Sequence, residues 1–151
     1  MFGDQFGGRS VTTIYKREQD KLANQFNAGE DLVAGMPVSL NAKGEVVPCT
    51  AANKTAYIGI NMYNIKKGEI TTVMVLVSHV MVYTVAAEEL APADLVTIEQ
   101  VAADNTASDR SIDYHPHLTA SKANGVTHGI CLDSADKDQE EVRVLVFDKA
   151  V

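Results

Sequence analysis

The sequence predicts a mainly β protein, a small β-barrel or β-sandwich with an internal duplication and an extended N-terminal arm. Three observations lead to this fold class. Short runs rich in valine, isoleucine, threonine and tyrosine are broken by glycine, proline or asparagine about every ten residues, which is typical of strands and turns. Similar runs recur in the same order in both halves of the chain, and the first 30 residues lack the pattern.

The N-terminal segment predicts an arm over residues 1–30, followed by one β domain over residues 31–151. The segment is rich in glycine and carries four acidic and four basic residues. Residues 16–26 favour a helix, but the apolar stripe consists of Tyr15, Leu22 and Phe26 alone. Such a thin stripe rarely holds a free helix in water. We therefore expect the arm to be loose in the isolated protein or ordered on a neighbour.

Turn residues separate the strands that follow. Residues 37–40 and 45–47 flank Asn41-Ala-Lys-Gly44, which predicts a hairpin whose glycine takes the positive φ that the loop needs. Lys67-Gly68 and Asn124-Gly125 mark two more turns. Asn-Gly favours a type I′ turn, in which both residues are left-handed.

The most apolar region spans residues 70–85, where valines alternate along one face and the opposite face is apolar too. After Ser78-His79 the valines change phase, which predicts a bulge or corner. A strand that is apolar on both faces must be covered on both, either by barrel closure or by a partner subunit. We therefore predict a subunit interface formed by Met74, Leu76, Met81 and Tyr83.

The internal repeat predicts two units, residues 32–77 and residues 90–147. Each has a Leu-x-x-Gly-x-x-Val-like start, a Gly-Ile step and a final valine strand. The matched positions are Gly35 with Ala93, Gly59 with Gly129, and Val73 with Val142. Two similar strand sets are expected to pack around a pseudo-twofold axis as one barrel or sandwich. The longer insertion at residues 99–123 of the second unit is expected on the surface.

Composition excludes several classes of function. The chain has 13 basic and 20 acidic residues, a net charge of −7, so no broad basic surface is expected for nucleic acid or an anionic membrane. No run reaches the roughly 20 apolar residues of a membrane-spanning helix, and no signal peptide is recognisable, so we expect a soluble, unprocessed protein. Cys49 and Cys131, without a C-x-x-C partner, predict free, half-buried thiols.

Motifs for catalysis do not stand out. There is no G-x-S-x-G segment and no phosphate loop, and His79 and His128 are interpreted as ordinary strand residues. The acidic run at residues 133–141 lacks the glycine and glutamate spacing of a calcium loop. His115-Pro-His117 would need a third ligand such as Asp113 to hold a metal, and it equally suits a polar loop. We predict no catalytic site, cofactor or metal, and leave open whether His115 and His117 bind one.

The order Leu-x-x-Gly-x-x-Val-x-Leu, then Ile-Gly-Ile, then Gly68-Glu-Ile-Thr-Thr-Val-Met-Val75 resembles the decoration, or cement, proteins of tailed-bacteriophage heads over residues 28–147. The resemblance implies a non-enzymatic virion protein, made in the host cytoplasm. It would bind the outside of the capsid as a homo-oligomer, expected to be a trimer, and clamp neighbouring major capsid subunits. The expected capsid contacts of the arm are Phe2, Phe6, Arg9 and Tyr15.

Two alternatives remain at this point. One is another phage head or tail component, such as a head-fibre base or a tail-tube element. The other is a small metal-dependent hydrolase or isomerase that uses His115, His117 and an aspartate.

Overall fold

The computed structural model describes residues 23–75, 80–102, 116–136 and 140–151. Within these ranges the protein is mainly β, as predicted. The first half contains β1 (Ala23–Asn27), β2 (Pro37–Leu40), β3 (Val46–Pro48), a 3-10 helix (Lys54–Ala56), β4 (Tyr57–Asn61) and β5 (Ile70–Val75). The second half contains β6 (Val80–Ala86), β7 (Leu95–Val101), β8 (His117–Lys122), β9 (Gly129–Cys131) and β10 (Glu141–Val146).

The two halves have the same strand topology. β1–β5 form a sheet in the order β1-β5-β4-β2-β3, and β6–β10 form a closed barrel in the order β10-β6-β8-β7-β9. The barrel closes where β6 and β8 pair in parallel, at Ala86 and Ala120. The sheet has the equivalent parallel bridge between Ala28 and Val46. We call residues 23–75 the first unit and residues 80–146 the second unit.

Matching backbone hydrogen bonds confirm the internal duplication. The N–H of Gly35 donates to the carbonyl of Asn61 at 2.7 Å, and the N–H of Ala93 donates to the carbonyl of Cys131 at 2.8 Å. Gly35 has a φ of 91° and Ala93 a φ of 78°. The alanine therefore adopts the left-handed conformation that glycine has in the first unit, although a Cβ makes this conformation unfavourable.

The matched valine strands differ from the predicted alignment. Val73 pairs with Asn61 and Val144 pairs with Cys131, so Val73 corresponds to Val144. The prediction that matched Val73 with Val142 was wrong by two residues. Valine recurs at every second position, and a shift of two keeps each residue on the same face, so the pattern alone does not fix the register.

The units begin earlier than predicted. β1 lies inside the predicted arm and pairs with β5 from Ala23 opposite Met74 to Asn27 opposite Ile70. β6, which pairs with β10, is its counterpart. The sequence did not mark β1 because Phe26 is its one large apolar residue. Residues 1–22 lie outside the described residues, and with them the predicted arm contacts Phe2, Phe6, Arg9 and Tyr15.

The predicted hairpin is confirmed. β2 and β3 pair from Val38 opposite Pro48 to Leu40 opposite Val46, and Gly44 has a φ of 78°. Asn41 closes the turn, since its side-chain oxygen accepts from two backbone N–H groups at 2.9 Å.

Two other turn predictions have different outcomes. Gly68 has a φ of 90°, as a glycine turn requires. At Asn124-Gly125 the glycine alone has a positive φ, of 81°, so the predicted type I′ turn was wrong. The bulge predicted at Ser78-His79 lies outside the described residues, between the last strand of one unit and the first of the next.

Part of the predicted surface insertion at residues 99–123 is strand. Glu99 to Val101 end β7, and His117–Lys122 form β8, which pairs with them. The strand was missed because Leu118 and Ala120 are its only apolar residues, both facing inward. Residues 103–115 of the insertion lie outside the described residues.

The core joins both units. One buried cluster includes Val38 and Val73 of the first unit and Val96, Ile98 and Val144 of the second. The two strand sets therefore share one core, as predicted for a barrel or sandwich with an internal duplication. Each forms its own sheet, and the two pack against each other.

Candidate functional site

The two units meet at His128, which is buried with 1% of its surface exposed. Its Nδ1 accepts a hydrogen bond from the N–H of Ile98 at 2.8 Å, and its Nε2 lies 3.1 Å from the carbonyl oxygen of Cys49. An accepting Nδ1 leaves the proton on Nε2, which donates to Cys49. Burial lowers the pKa of His128 to about 4, although the Cys49 contact opposes the shift. His128 is therefore a neutral bridge between the units.

Further side chains link the first unit to the second half of the chain away from this histidine. The Gln100 Oε1 accepts from the N–H of Val33 at 3.1 Å, and its Nε2 donates to the carbonyl of Asp31 at 2.6 Å. The Tyr57 hydroxyl donates to the carbonyl of Phe147 at 3.2 Å, and burial raises the pKa of Tyr57, which keeps the hydroxyl protonated. These bonds join the two units at several separate points.

Gly35 fits the first unit against the interior of the barrel. A Cβ on this residue would lie 2.9 Å from Leu118 Cδ1 and 3.1 Å from Val82 Cγ1. Both of these side chains are buried residues of the second unit. Glycine at this position is therefore favoured by its positive φ, which Ala93 also adopts in the second unit, and required by the close approach of the two units.

The outside of the second unit carries an apolar row across four strands. Leu95 pairs with Ile130, Ile130 with Leu145, and Leu145 with Met81. Residues directly opposite in antiparallel strands project from the same face. That face is the outer one, because Leu95 is 51% exposed and Met81 44% exposed. We call these four residues the outer apolar row. With strands about 4.8 Å apart, the row is roughly 14 Å wide.

Tyr83 and an ion pair lie next to the outer apolar row. Tyr83 is 61% exposed and pairs with Arg143 on β10. The Arg143 guanidinium donates to both carboxylate oxygens of Asp133, at 2.9 Å from Nε and 2.7 Å from Nη2. These hydrogen bonds lower the pKa of Asp133 to about 2. The pair has no net charge, so the surface beside Tyr83 is polar but neutral.

The residues of the predicted subunit interface are divided between the two units. Met81 and Tyr83 lie on the outer face of the second unit, and Met74 lies half-buried on β5 of the first, opposite Ala23 and Ile60. Leu76 lies outside the described residues. The separation arises because the chain passes from one unit to the other between β5 and β6.

The predicted metal ligands are only partly described. His117 begins β8, and His115 and Asp113 lie outside the described residues. In the part of the chain that the structure describes, no three His, Cys, Asp or Glu side chains form a cluster suited to a metal. Cys49 and Cys131 are free, as predicted, but buried rather than half-buried. Burial raises the pKa of each thiol, which disfavours the reactive thiolate.

Two open clefts lie on the surface of the described residues. One is lined by Lys54, Thr55, Tyr57, Asp148, Lys149 and Ala150. The other lies between the two units, and its lining includes Asp31, Asn64 and Glu69 of the first and Gln100 of the second. The Lys54 ammonium group donates to the carbonyl of Gly125 at 3.2 Å, so it serves as a link between the units.

Sequence reasoning missed the role of His128 and most of the outer apolar row. A signal for His128 was present, because it precedes Gly129 as Ile58 precedes Gly59 in the first unit. A polar residue replacing an apolar one at a repeated position indicates a different environment. For Leu95, Ile130 and Leu145 the signal appears only when the strand register is known.

No protein-family model matches the chain, and no curated protein shows significant similarity to it. Among the described residues, none of the helices has the length and apolar character needed to cross a membrane.

Proposed function

We propose that this protein is a structural virion protein that binds the outside of a tailed-phage capsid and stabilises it by clamping neighbouring major capsid subunits. The observation that carries the proposal is the outer apolar row, exposed on a barrel that packs firmly against a second sheet. A protein that acts by binding needs exposed apolar anchors on a preorganised body. The row provides the anchors, and the His128 and Gln100 contacts hold the body together.

Two further features support a role in binding rather than catalysis. The net charge of −7 is unsuited to neutralising nucleic-acid phosphates, which favours a protein partner. The segment before β1 carries Phe2, Phe6, Arg9 and Tyr15, which we propose as a second set of capsid contacts, together with assembly into a homo-oligomer such as a trimer. Weak contacts repeated over a shell produce a large total stabilisation.

The proposal is tested with virions and empty expanded capsids that lack the protein. We expect purified protein to co-sediment with expanded capsids, and virions lacking it to release DNA at lower temperature and under milder osmotic shock. If the protein does not bind expanded capsids and its loss leaves virion stability unchanged, the proposal is wrong.

Immunogold labelling of complete particles distinguishes the leading proposal from the other morphogenesis roles. Label over the icosahedral head supports a decoration protein. Label confined to a head fibre or to the tail would instead assign the chain to the fibre base or the tail tube.

A further inference from the structure

We propose that the outer apolar row and Tyr83 form the docking face for a protein surface with an apolar centre and a basic rim. This inference rests on the proposed function, since it names the face that meets the capsid and the chemistry of the surface it meets. It adds a capsid contact to those expected of the N-terminal arm, and it assigns Met81 and Tyr83 to the capsid contact instead of the predicted subunit interface.

The character of the outer face changes along β6 and β10. Leu145 faces outward with Met81, and two residues along each strand Arg143 lies opposite Tyr83. Two residues further, Glu141 lies opposite Val85. Outward positions on a strand are about 6.8 Å apart, so the face passes from apolar to acidic within roughly 14 Å.

Carboxylates gather where this face ends. The N–H of Ala86 donates to the carbonyl of Glu140 at 2.7 Å, and Leu90 bridges to Ala135, which brings the end of β6 beside the start of β10. The acidic residues of these chain segments are Glu88, Glu89, Asp136, Glu140 and Glu141, and the Glu88 carboxylate accepts from the N–H of Lys122 at 3.2 Å. Arg143 on the same face is already neutralised by Asp133. A complementary partner therefore presents basic side chains opposite this end and apolar ones opposite the row.

The exposure of the outer apolar row can be compared with that of the matched positions in the first unit. Pro37 and Ile60 of the first unit pair as Leu95 and Ile130 do in the second. Both residues of the first unit are buried, whereas Leu95 is 51% exposed. The position of Leu95 is thus covered in the first unit and open in the second, while Met74 and Ala23, which match Leu145 and Met81, are half-buried and exposed. Exposed strand positions accept polar residues at little cost, so a contiguous row of apolar residues there indicates a partner, whereas a single exposed residue such as Ile70 does not.

The small area of the docking face favours binding of many copies to one shell over a stable complex of two proteins. The row and Tyr83 amount to a patch of a few hundred Å², on the order of the largest apolar patch of a monomer. A stable two-protein interface needs about 800 Å² from each side. A smaller face is adequate where many copies act together on one shell.

The test compares variants in binding to expanded capsids prepared without the protein. The double variant Leu95→Gln with Met81→Gln is expected to bind at least about tenfold more weakly, because it removes the apolar anchors. The matched control is Ile70→Gln, a strand residue of the first unit that is 61% exposed, and its affinity is expected to stay within about twofold of the unmodified protein. Tyr83→Ser provides an independent variant if the double one does not fold.

The salt dependence of capsid binding, measured for the unmodified protein and for a charge variant, tests whether the partner surface has a basic rim. We expect higher salt to weaken binding, and Glu140→Gln with Glu141→Gln to reduce that salt dependence, because exposed charge pairs are screened. A salt dependence that is absent, or that the charge variant leaves unchanged, would remove the basic rim from the proposal.

The outcomes separate this inference from the proposed function. If the unmodified protein does not bind capsids, the proposed function fails. If it binds and the row variants bind equally well, the function stands and the docking face is wrong. If the row variants instead lower the mass of the protein in solution, the face joins two copies of this chain, and the assignment to a capsid surface is overturned.

Discussion

Acidification from pH 7 to pH 5 is expected to destabilise the protein through His128. The neutral ring accepts from Ile98 and donates to Cys49, and protonation would turn the accepting Nδ1 into a second donor facing the Ile98 N–H. The charged ring would also be buried at the contact between the units. The other titratable groups at this contact stay neutral in this range, since burial raises the pKa of both Cys49 and Tyr57.

The sign and size of this change in stability follow from the pKa of His128, which is about 4 in the folded protein against an ordinary value of 6.5. Between these values the unfolded chain binds more protons, so the stabilisation is present above pH 6.5 and is lost as pH falls toward 4. A difference of roughly 2.5 pH units corresponds to about 3 kcal/mol in total. The part lost between pH 7 and pH 5 is about 2 kcal/mol.

Urea denaturation at pH 7, 6 and 5 measures this loss. His128→Gln keeps an N–H donor toward Cys49, but its acceptor oxygen does not occupy the position at which Nδ1 accepts from the Ile98 N–H, so we expect it to be less stable at pH 7 by about 1–3 kcal/mol. Its stability is then expected to vary much less between pH 7 and pH 5. His117→Gln, at a partly exposed histidine that begins β8, serves as the control and should keep the pH dependence.

Two results would refute the reasoning. One is an unmodified protein whose free energy of unfolding changes by less than about 0.5 kcal/mol over this range, since His128 alone is expected to contribute more. The other is an equal pH dependence in His128→Gln, which would assign the effect to different groups.

Three further predictions concern backbone strain, an ion pair and the core. Gly35→Ala is expected to destabilise the protein by more than about 1 kcal/mol in urea denaturation, because the φ of Gly35 is 91° and the added Cβ would press on two side chains of the second unit. Ala93→Gly, at the matched position, should be neutral or stabilising in the same assay. Arg143→Gln should raise the pKa of Asp133 from about 2 toward its ordinary value of 3.8, as measured by NMR titration. In the unmodified protein, the stability linked to this carboxylate is present above pH 3.8 and is lost as the pH falls through about 2. Met36→Ala, at a residue that is 2% exposed, should cost about 2–5 kcal/mol in denaturation.

The sequence predicted those features of the fold that depend on local patterns. The hairpin at Asn41 to Gly44 was predicted because its turn residues and flanking strands are adjacent in the chain. The duplication was predicted because two glycine-centred segments recur. β1 and β8 were missed because each has few apolar residues, and their pairing partners are distant in sequence. Local pattern cannot supply such long-range pairing.

The candidate site was less predictable than the fold. Met81 and Tyr83 were predicted as part of a subunit interface because they lie in an unusually apolar strand, but the residues that continue the row from Met81 come from three other strands. Which residues become neighbours depends on register, and a valine strand with a period of two is compatible with shifts of two. His128 was interpreted as an ordinary strand residue because nothing local distinguishes a buried bridging histidine from an exposed one.

The differences between the two units indicate where function was added to a shared fold. Both units keep the hydrogen bonds that close their sheets, so the fold requires similar backbones at matched positions. His128 stands where the first unit has Ile58, and it reaches across to the other unit. Leu95 stands where the first unit has the buried Pro37, and it is open to solvent. The first change joins the two units, and the second leaves one apolar face uncovered. In the described residues, a duplicated set of strands thus becomes a single body whose second unit carries an exposed apolar row, which is the arrangement that the proposed binding to a larger surface requires.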